Sequence, residues 1–448
     1  MPKISLNVTK LLDEAKFNPF HLKFIIWGAL ISAFEGYDLV VYGVVLPLLM
    51  KEWTLTSVEA GMLASTALVG MAVGSLGGGI IADYVGRKKI IMLSILLLSV
   101  ATFLCAFASE PMQFAILRFL AGVGVGGIMP NIVALTSEFS PKKMRTTMIG
   151  MMSCGFAVGG ITSAVIGSMY VETAGWRIMF AVAGIPIILV PLMWRYMPES
   201  VSYLLSKGKT LQVENILNRV LPQKVNHLEQ DFILYKDSIV AKNSVNILFK
   251  DGRATGTLLF WTVFFMVLLI VYALSSWLPK LMMNAGYPLD KSIYFLIALN
   301  VGSITGTLLG GVLADKFNIK TVLINMFIIG ALALFALGFK SNVWVLYALV
   351  VIAGASIQGG SILLYSYISQ FYPLVANSTG IGWASSIGKF GAIVGPIVTG
   401  YVLTLHLTHV MNFALISIPA VIAAISVALI AKPKPQSTAD FSALPSAK

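Results

Sequence analysis

Residues 79–88 read GIIADYVGRK, and residues 311–320 read GVLADKFNIK. In register, Gly79 falls on Gly311 and Asp83 on Asp315. The same offset sets PKKMRTTMIG, from Pro141, on PLVANSTGIG, from Pro373, and sets Gly159 on Gly391. Separate matches at one offset mark a duplicated chain. Outward from each quoted stretch the sequence runs apolar in blocks of about 20 residues, long enough to cross about 30 Å of hydrocarbon. The duplicated unit is therefore a bundle of membrane-spanning helices.

Composition agrees. The 448 residues are 57% hydrophobic and 11% charged, with a mean hydropathy of +0.87, whereas a soluble chain carries about 25% charged residues. We expect an all-α membrane protein with twelve spans, at 23–49, 58–82, 88–108, 112–136, 145–170, 176–195, 256–279, 291–314, 320–338, 342–370, 376–404 and 408–431. Residues 1–195 then form an N-terminal six-helix bundle and 256–431 a C-terminal one. Residues 196–255 are polar and mixed in charge, and are expected to form a cytoplasmic central loop with a short amphipathic helix or two. Residues 432–448 form a cytoplasmic tail. Parallel six-span repeats place a substrate between the halves near the midplane.

The charges orient the chain. With both termini in the cytoplasm, that side receives 24 Lys and Arg and the outer side five; Arg118 and Lys389 remain within the membrane, completing the 31. This is the positive-inside pattern. It also accounts for the net charge of +12, since basic loops face anionic headgroups, and removes the reason to invoke nucleic acid. The first 20 residues show no cleavable signal pattern. Cys105 and Cys154 fall inside apolar runs and read as packing residues. The four histidines, His21, His227, His406 and His409, fall in tails or loops by this topology. No cofactor or metal is expected, no catalytic constellation is present, and without a phosphate loop ATP is not the energy source.

The chemistry lies in the charges placed where they are costly. Span 1 contains Phe34-Glu35-Gly36-Tyr37-Asp38, FEGYD. Glu35 and Asp38, at i and i+3, share a helix face that must look into a polar cavity. Two acids close together in low dielectric do not both stay ionised easily, so one is expected to hold a proton; exchange of that proton would couple transport. Arg118 in span 4 reaches a depth similar to that of Asp38, and pairing is the cheap way to bury both charges. The alternatives are snorkelling of Arg118 to the outer headgroups, or a purely structural Asp38–Arg118 pair with Glu35 permanently protonated. Lys389, mid-span in helix 11, would anchor an anionic substrate or serve as counterion to Glu35 or Asp38 across the halves. Gln358, Asn131, Asn300 and the aromatic residues Tyr42, Tyr272, Trp277 and Trp383 could line an aryl-carboxylate cavity. For each alone, helix packing explains it as well.

These residues carry a resemblance. Gly79-x-x-x-Asp83-x-x-Gly86-Arg87-Lys88 resembles the signature loop of the major facilitator superfamily between spans 2 and 3, with Tyr84 where that family usually has Arg. The second copy keeps Gly311, Asp315 and Lys316. The resemblance implies a gate between the halves on the cytoplasmic side, formed by Asp83, Gly79, Gly86, Arg87, Glu138, Arg145 and Asp315, with Gly79 letting helices approach and Asp83 pairing with Arg87 or Arg145. Span 4, RFLAGVGVGGIMPN from Arg118, resembles the superfamily's span-4 motif. FEGYD is similar to the span-1 element of the aromatic acid:proton symporter family, with Glu35 for the first Asp; Lys389 stands where that family has Arg, and Asn377 where an Arg follows span 10. The resemblance implies a multi-pass carrier of the bacterial inner membrane that imports an aromatic carboxylate, such as benzoate or a hydroxybenzoate, with protons by alternating access. Its implied partners are that anion, protons and membrane lipid, and its expected state is a monomer. The other readings are symport of muconate, quinate, shikimate or a sugar, efflux by antiport, and a membrane sensor.

Overall fold

The computed structural model describes residues 4–221, 225, 230–233, 244–250, 252–372 and 374–431. The tail at 432–448 and part of the central loop lie outside the described residues. Among the described residues twelve helices are long and apolar enough to span a membrane: Pro19–Glu52, Ser57–Val85, Arg87–Cys105, Pro111–Phe139, Arg145–Ala174, Arg177–Tyr196, Ala254–Asn284, Leu289–Lys316, Ile319–Ala336, Val343–Phe371, Thr379–Thr404 and His409–Leu429. They are called spans 1 to 12. An even number of crossings puts both ends of the chain on one side, the terminal face; the other is the far face.

Local chemistry sets the ends. Asn18 caps span 1, its Oδ1 accepting from Phe20 N–H at 3.0 Å, with Pro19 in the first turn. Thr56 and Glu59 form a capping box at the start of span 2. Gly86 stops span 2 at φ +105°, and a Cβ there would also collide with the Glu199 carboxylate; both facts require glycine. Span 6 is broken after Val182, because Pro186 has no N–H to give the Val182 carbonyl.

The duplication is written into the helix contacts. In the first half Gly70 lies against the Phe119 backbone, Gly74 against Val123, Gly122 against Ala67 and Gly159 against Ala33. In the second half Gly302 lies against Val351, Gly306 against Ala355, Gly354 against Leu299 and Gly391 against Phe265. Both partners of every pair are shifted by the offset that relates Gly79 to Gly311. Spans 2 and 4, and spans 1 and 5, thus pack as spans 8 and 10, and spans 7 and 11, do. Within a bilayer there is no hydrophobic force between helices, so close backbone approach at small residues supplies the attraction.

The two halves meet from the far face to mid-membrane. Gly400 abuts Ser57, Gly61 abuts Pro396 and Gly43 abuts Ser275. Ser65 Oγ donates to the Ile393 carbonyl at 2.6 Å. Toward the terminal face, Gly77, Gly79 and Gly311 have open space where a side chain would begin. The molecule is closed at the far face and open at the terminal face. The expected close approach at Gly79 is therefore absent in this state; its neighbour Gly78 makes one instead, against Gly127.

The central segment has helices at Val201–Ser206 and Thr210–Val220, and a strand, Gln230–Ile233, parallel to Ile4–Asn7. The strand pairing is not foreshadowed by the sequence pattern. Two of the histidines placed in tails or loops are also corrected. His21 is buried in the first turn of span 1, where its Nδ1 accepts from Asn18 N–H at 3.1 Å, and His409 opens span 12.

Candidate functional site

Span 1 carries the site, and its neighbours fix its rotation. Gly36 is pressed against the Phe156 backbone of span 5, which turns Asp38 into the N-terminal half. There Arg118 Nη1 donates to Asp38 Oδ1 at 2.7 Å and Nη2 to the Asp38 carbonyl at 3.1 Å. Thr102 Oγ1 donates to the same Oδ1 at 2.7 Å. Asp38 and Arg118 are each only 2% exposed, so Arg118 does not snorkel. Among the described residues Asp38 Oδ2 has no hydrogen-bond partner. Asp38 is among the residues that border a mostly apolar cavity of about 300 Å³ between spans 1, 3, 5 and 6.

Glu35 is 4% exposed, and its Oε2 also lacks a partner among the described residues. Glu35 interacts electrostatically with Asp38, three residues on, and with Lys389 of span 11 and Tyr272 of span 7. Asp38 is held by Thr102 of span 3 and Arg118 of span 4, so the two acids reach from inside the N-terminal half towards span 11. Lys389 Nζ donates to Ser75 Oγ of span 2, so the cation itself crosses the interface. Gln358 is buried with Oε1 unpartnered among the described residues.

The other cavity candidates are placed less freely. Trp277 is fully buried and its Nε1–H donates to the Pro396 carbonyl at 2.9 Å. Tyr42 donates to the Ala60 carbonyl at 2.6 Å. Asn131 donates to the Gly127 and Gly78 carbonyls at 2.9 and 3.2 Å, and Asn300 to Leu296 at 2.8 Å. Trp277, Tyr42 and Asn131 thus tie helices together, whereas Asn300 bonds back within its own helix. Trp383 is 43% exposed and stacks on Trp261, with ring centroids 5.7 Å apart.

The charges at the terminal face pair differently from expectation. Arg87 pairs with Glu138 at 3.2 Å, and Arg145 with Asp13 at 2.5 Å. Glu138 also accepts from Ser202 N–H at 2.7 Å, and Glu199 from Lys88 N–H at 3.0 Å. Asp83 and Asp315 are exposed, and among the described residues neither makes a hydrogen bond or ion pair. The Asp83 contacts to Arg87 and Arg145 are thus not made here. Asp83 faces water, and each arginine is taken by another acid of the same half, Arg87 by Glu138 and Arg145 by Asp13. Asp13, Ser75, Thr102, Glu199 and Ser202 were not foreseen. A small polar residue opposite a buried charge was the available signal for Ser75 and Thr102; Asp13 offered none.

The offset that repeats the glycine contacts does not repeat the charges. Glu35, Asp38 and Arg118 map to Val267, Ile270 and Val350, and Lys389 maps to Ala157. The duplicated glycines build the fold; the unduplicated charges lie within the spans, Asp38 and Arg118 paired inside the N-terminal half and Lys389 reaching across the interface to Ser75. Two repeated six-helix halves about a polar centre are the architecture of a carrier that moves a small solute between them.

Comparison places that carrier. Residues 28–324 and 292–446 match the Major Facilitator Superfamily, and the chain belongs to it. It is 46% identical over 431 residues to the benzoate transport protein of Acinetobacter baylyi, covering 95% of this chain and 92% of that one. It is 31% identical to the 4-hydroxybenzoate transporter PcaK of the same organism, covering 94% of each, and 32% identical to the gentisate transporter of Corynebacterium glutamicum, covering 91% and 86%. Among solved structures, the inward-open xylose transporter XylE from E. coli superposes with a TM-score of 0.74 at 18% identity, covering 94% of this chain and 99% of that one, and is similar in fold. The protein is a transporter and not an enzyme, and a multi-pass protein of the bacterial inner membrane.

Proposed function

We propose that this protein imports an aromatic carboxylate, benzoate first among them, together with protons. The observation that carries the reading is a run of charges within the membrane: Arg118 bonded to Asp38, Glu35 short of a full partner, and Lys389 reaching across from span 11. Arg118 balances Asp38 in the N-terminal half. Lys389 is then the cation that Glu35 and an arriving carboxylate must share. In low dielectric an unbalanced charge is costly. When the substrate's carboxylate takes Lys389, Glu35 is neutral only if protonated, so anion and proton bind together. When the substrate leaves, Glu35 can release its proton and recover Lys389.

The walls suit an aryl group. Tyr272 offers a ring in the field of Glu35 and Gln358 a buried amide with an unpartnered oxygen among the described residues, and the kinship with carriers named for benzoate, hydroxybenzoate and gentisate supports an aromatic acid. With the terminal face taken as cytoplasmic from its basic loops, the state described here is inward-open. Asp83, exposed in it, is free to bind the opposite half when that face closes.

Substrate class is tested by competition in proteoliposomes. Benzoate should inhibit labelled benzoate uptake best, hydroxybenzoates next, and muconate, shikimate and xylose little at equal concentration. Displacement by xylose or shikimate as strong as by benzoate would overturn the assignment.

A further inference from the structure

A basic pocket lies away from the candidate transport site, at the terminal face. Lys23, one turn into span 1, Arg195, next to the last residue of span 6, and Arg219, near the end of the helix Thr210–Val220, line one pocket of about 420 Å³. Its apolar walls include Phe20, Trp27 and Tyr196. None of the residues lining it is acidic. All three cations are exposed, and among the described residues none makes a hydrogen bond or ion pair.

The pocket is built, and two contacts hold its three walls together. Asn18 Nδ2 donates to the Val220 carbonyl at 2.8 Å, which pins the end of the linker helix to the start of span 1 and sets Arg219 beside Lys23. Trp27 stacks on Tyr196, with ring centroids 6.3 Å apart at 16°, which joins span 1 to span 6. The linker helix turns Val213, Ile216, Leu217 and Val220 inward, leaving Arg219 outward. Three unpaired cations held together repel one another, and the arrangement persists best if an anion sits among them. The depth is that of the headgroups, because Lys23 and Arg195 lie within two turns of the ends of their spans. Aromatic residues at this level belong to the membrane–water boundary, and basic pockets there take anionic lipid headgroups.

We propose that this pocket binds the phosphate of an anionic phospholipid, with Lys23, Arg195 and Arg219 around the phosphate and Trp27 and Tyr196 against the glycerol and upper acyl chain. The bound lipid bridges span 1, span 6 and the linker, and so fastens the central segment to the N-terminal half.

Native mass spectrometry of the full chain, released from mixed micelles holding equal phosphatidylglycerol and phosphatidylcholine, tests it. The wild type should retain phosphatidylglycerol in preference. The pair Lys23→Ala and Arg219→Ala should cut that preference roughly 25-fold, at about fivefold per cation removed from the surface. Equal retention of the two lipids by the wild type, or an undiminished preference in the double variant, would overturn the proposal. Displacement of the lipid by millimolar inorganic phosphate would assign the pocket to the free ion and overturn the lipid reading. A second measurement does not depend on the variant folding: phosphatidylglycerol brominated high on its chain should quench Trp27 more than brominated phosphatidylcholine does, with Trp27→Phe as the background. Equal quenching would also count against the site.

Discussion

Asp38→Asn should abolish concentrative uptake. The carboxylate stands 2.7 Å from Arg118 Nη1 and from Thr102 Oγ1, with both charges 2% exposed. The amide leaves the guanidinium buried without a counter-charge, and breaking a buried pair in this way costs about 3–5 kcal/mol. The strain falls on span 1, which also carries Glu35, so the effect reaches stability and coupling together. Thermal melting in detergent and uptake driven by an imposed pH gradient are the two measurements. A variant that melts with the wild type and still concentrates substrate at the wild-type rate would show that the pair is dispensable. Replacing both partners, Asp38→Asn with Arg118→Met, should recover stability without recovering uphill transport.

Lys389→Ala should cost about 2–5 kcal/mol of benzoate binding, the range for truncating one partner of a buried charge pair. The lower end alone is a loss of affinity of about thirtyfold. Benzamide, uncharged and of similar shape, should bind the wild type weakly and be little changed by the substitution. Lys389→Arg should retain part of the benzoate affinity, since it keeps the charge while changing the reach. Isothermal titration of both ligands against the three proteins decides. Equal losses for benzoate and benzamide would mean that the bond from Lys389 to Ser75 holds the halves together and does not read a carboxylate.

Much of the fold was legible because duplication and bilayer thickness both leave counts in the sequence. The offset between Gly79 and Gly311 is the same one that relates Gly70·Phe119 to Gly302·Val351 in the helix contacts. The Asp38–Arg118 pair was legible for a different reason: opposite charges at one depth in hydrocarbon have few ways to be satisfied. Which neighbours each acid meets was not, because spacing fixes only the angle between Glu35 and Asp38 on the helix, and packing at Gly36 fixes where that angle points. Trp277 and Tyr42 illustrate the same limit. An aromatic residue within a span has a polar tip, and nothing local tells whether the tip meets a cavity or a neighbouring carbonyl such as Pro396 or Ala60. The pairings Asp13–Arg145 and Glu138–Ser202 join segments far apart in the chain through loops with no periodic pattern. Openness at the terminal face belongs to one state of the cycle, and a sequence encodes all of them at once.

The central claim is that one shared cation makes the carboxylate and the proton travel together. It is tested most directly by following internal pH in proteoliposomes when benzoate is added outside without an imposed gradient, after subtracting the passive signal of protein-free vesicles. The wild type should acidify the lumen at a rate that saturates with benzoate and does not need sodium. Glu35→Gln, neutral at every pH, should still exchange internal for external benzoate but carry no saturable proton signal. Saturable benzoate entry by the wild type without acidification, or acidification by Glu35→Gln at the wild-type rate, would contradict the account.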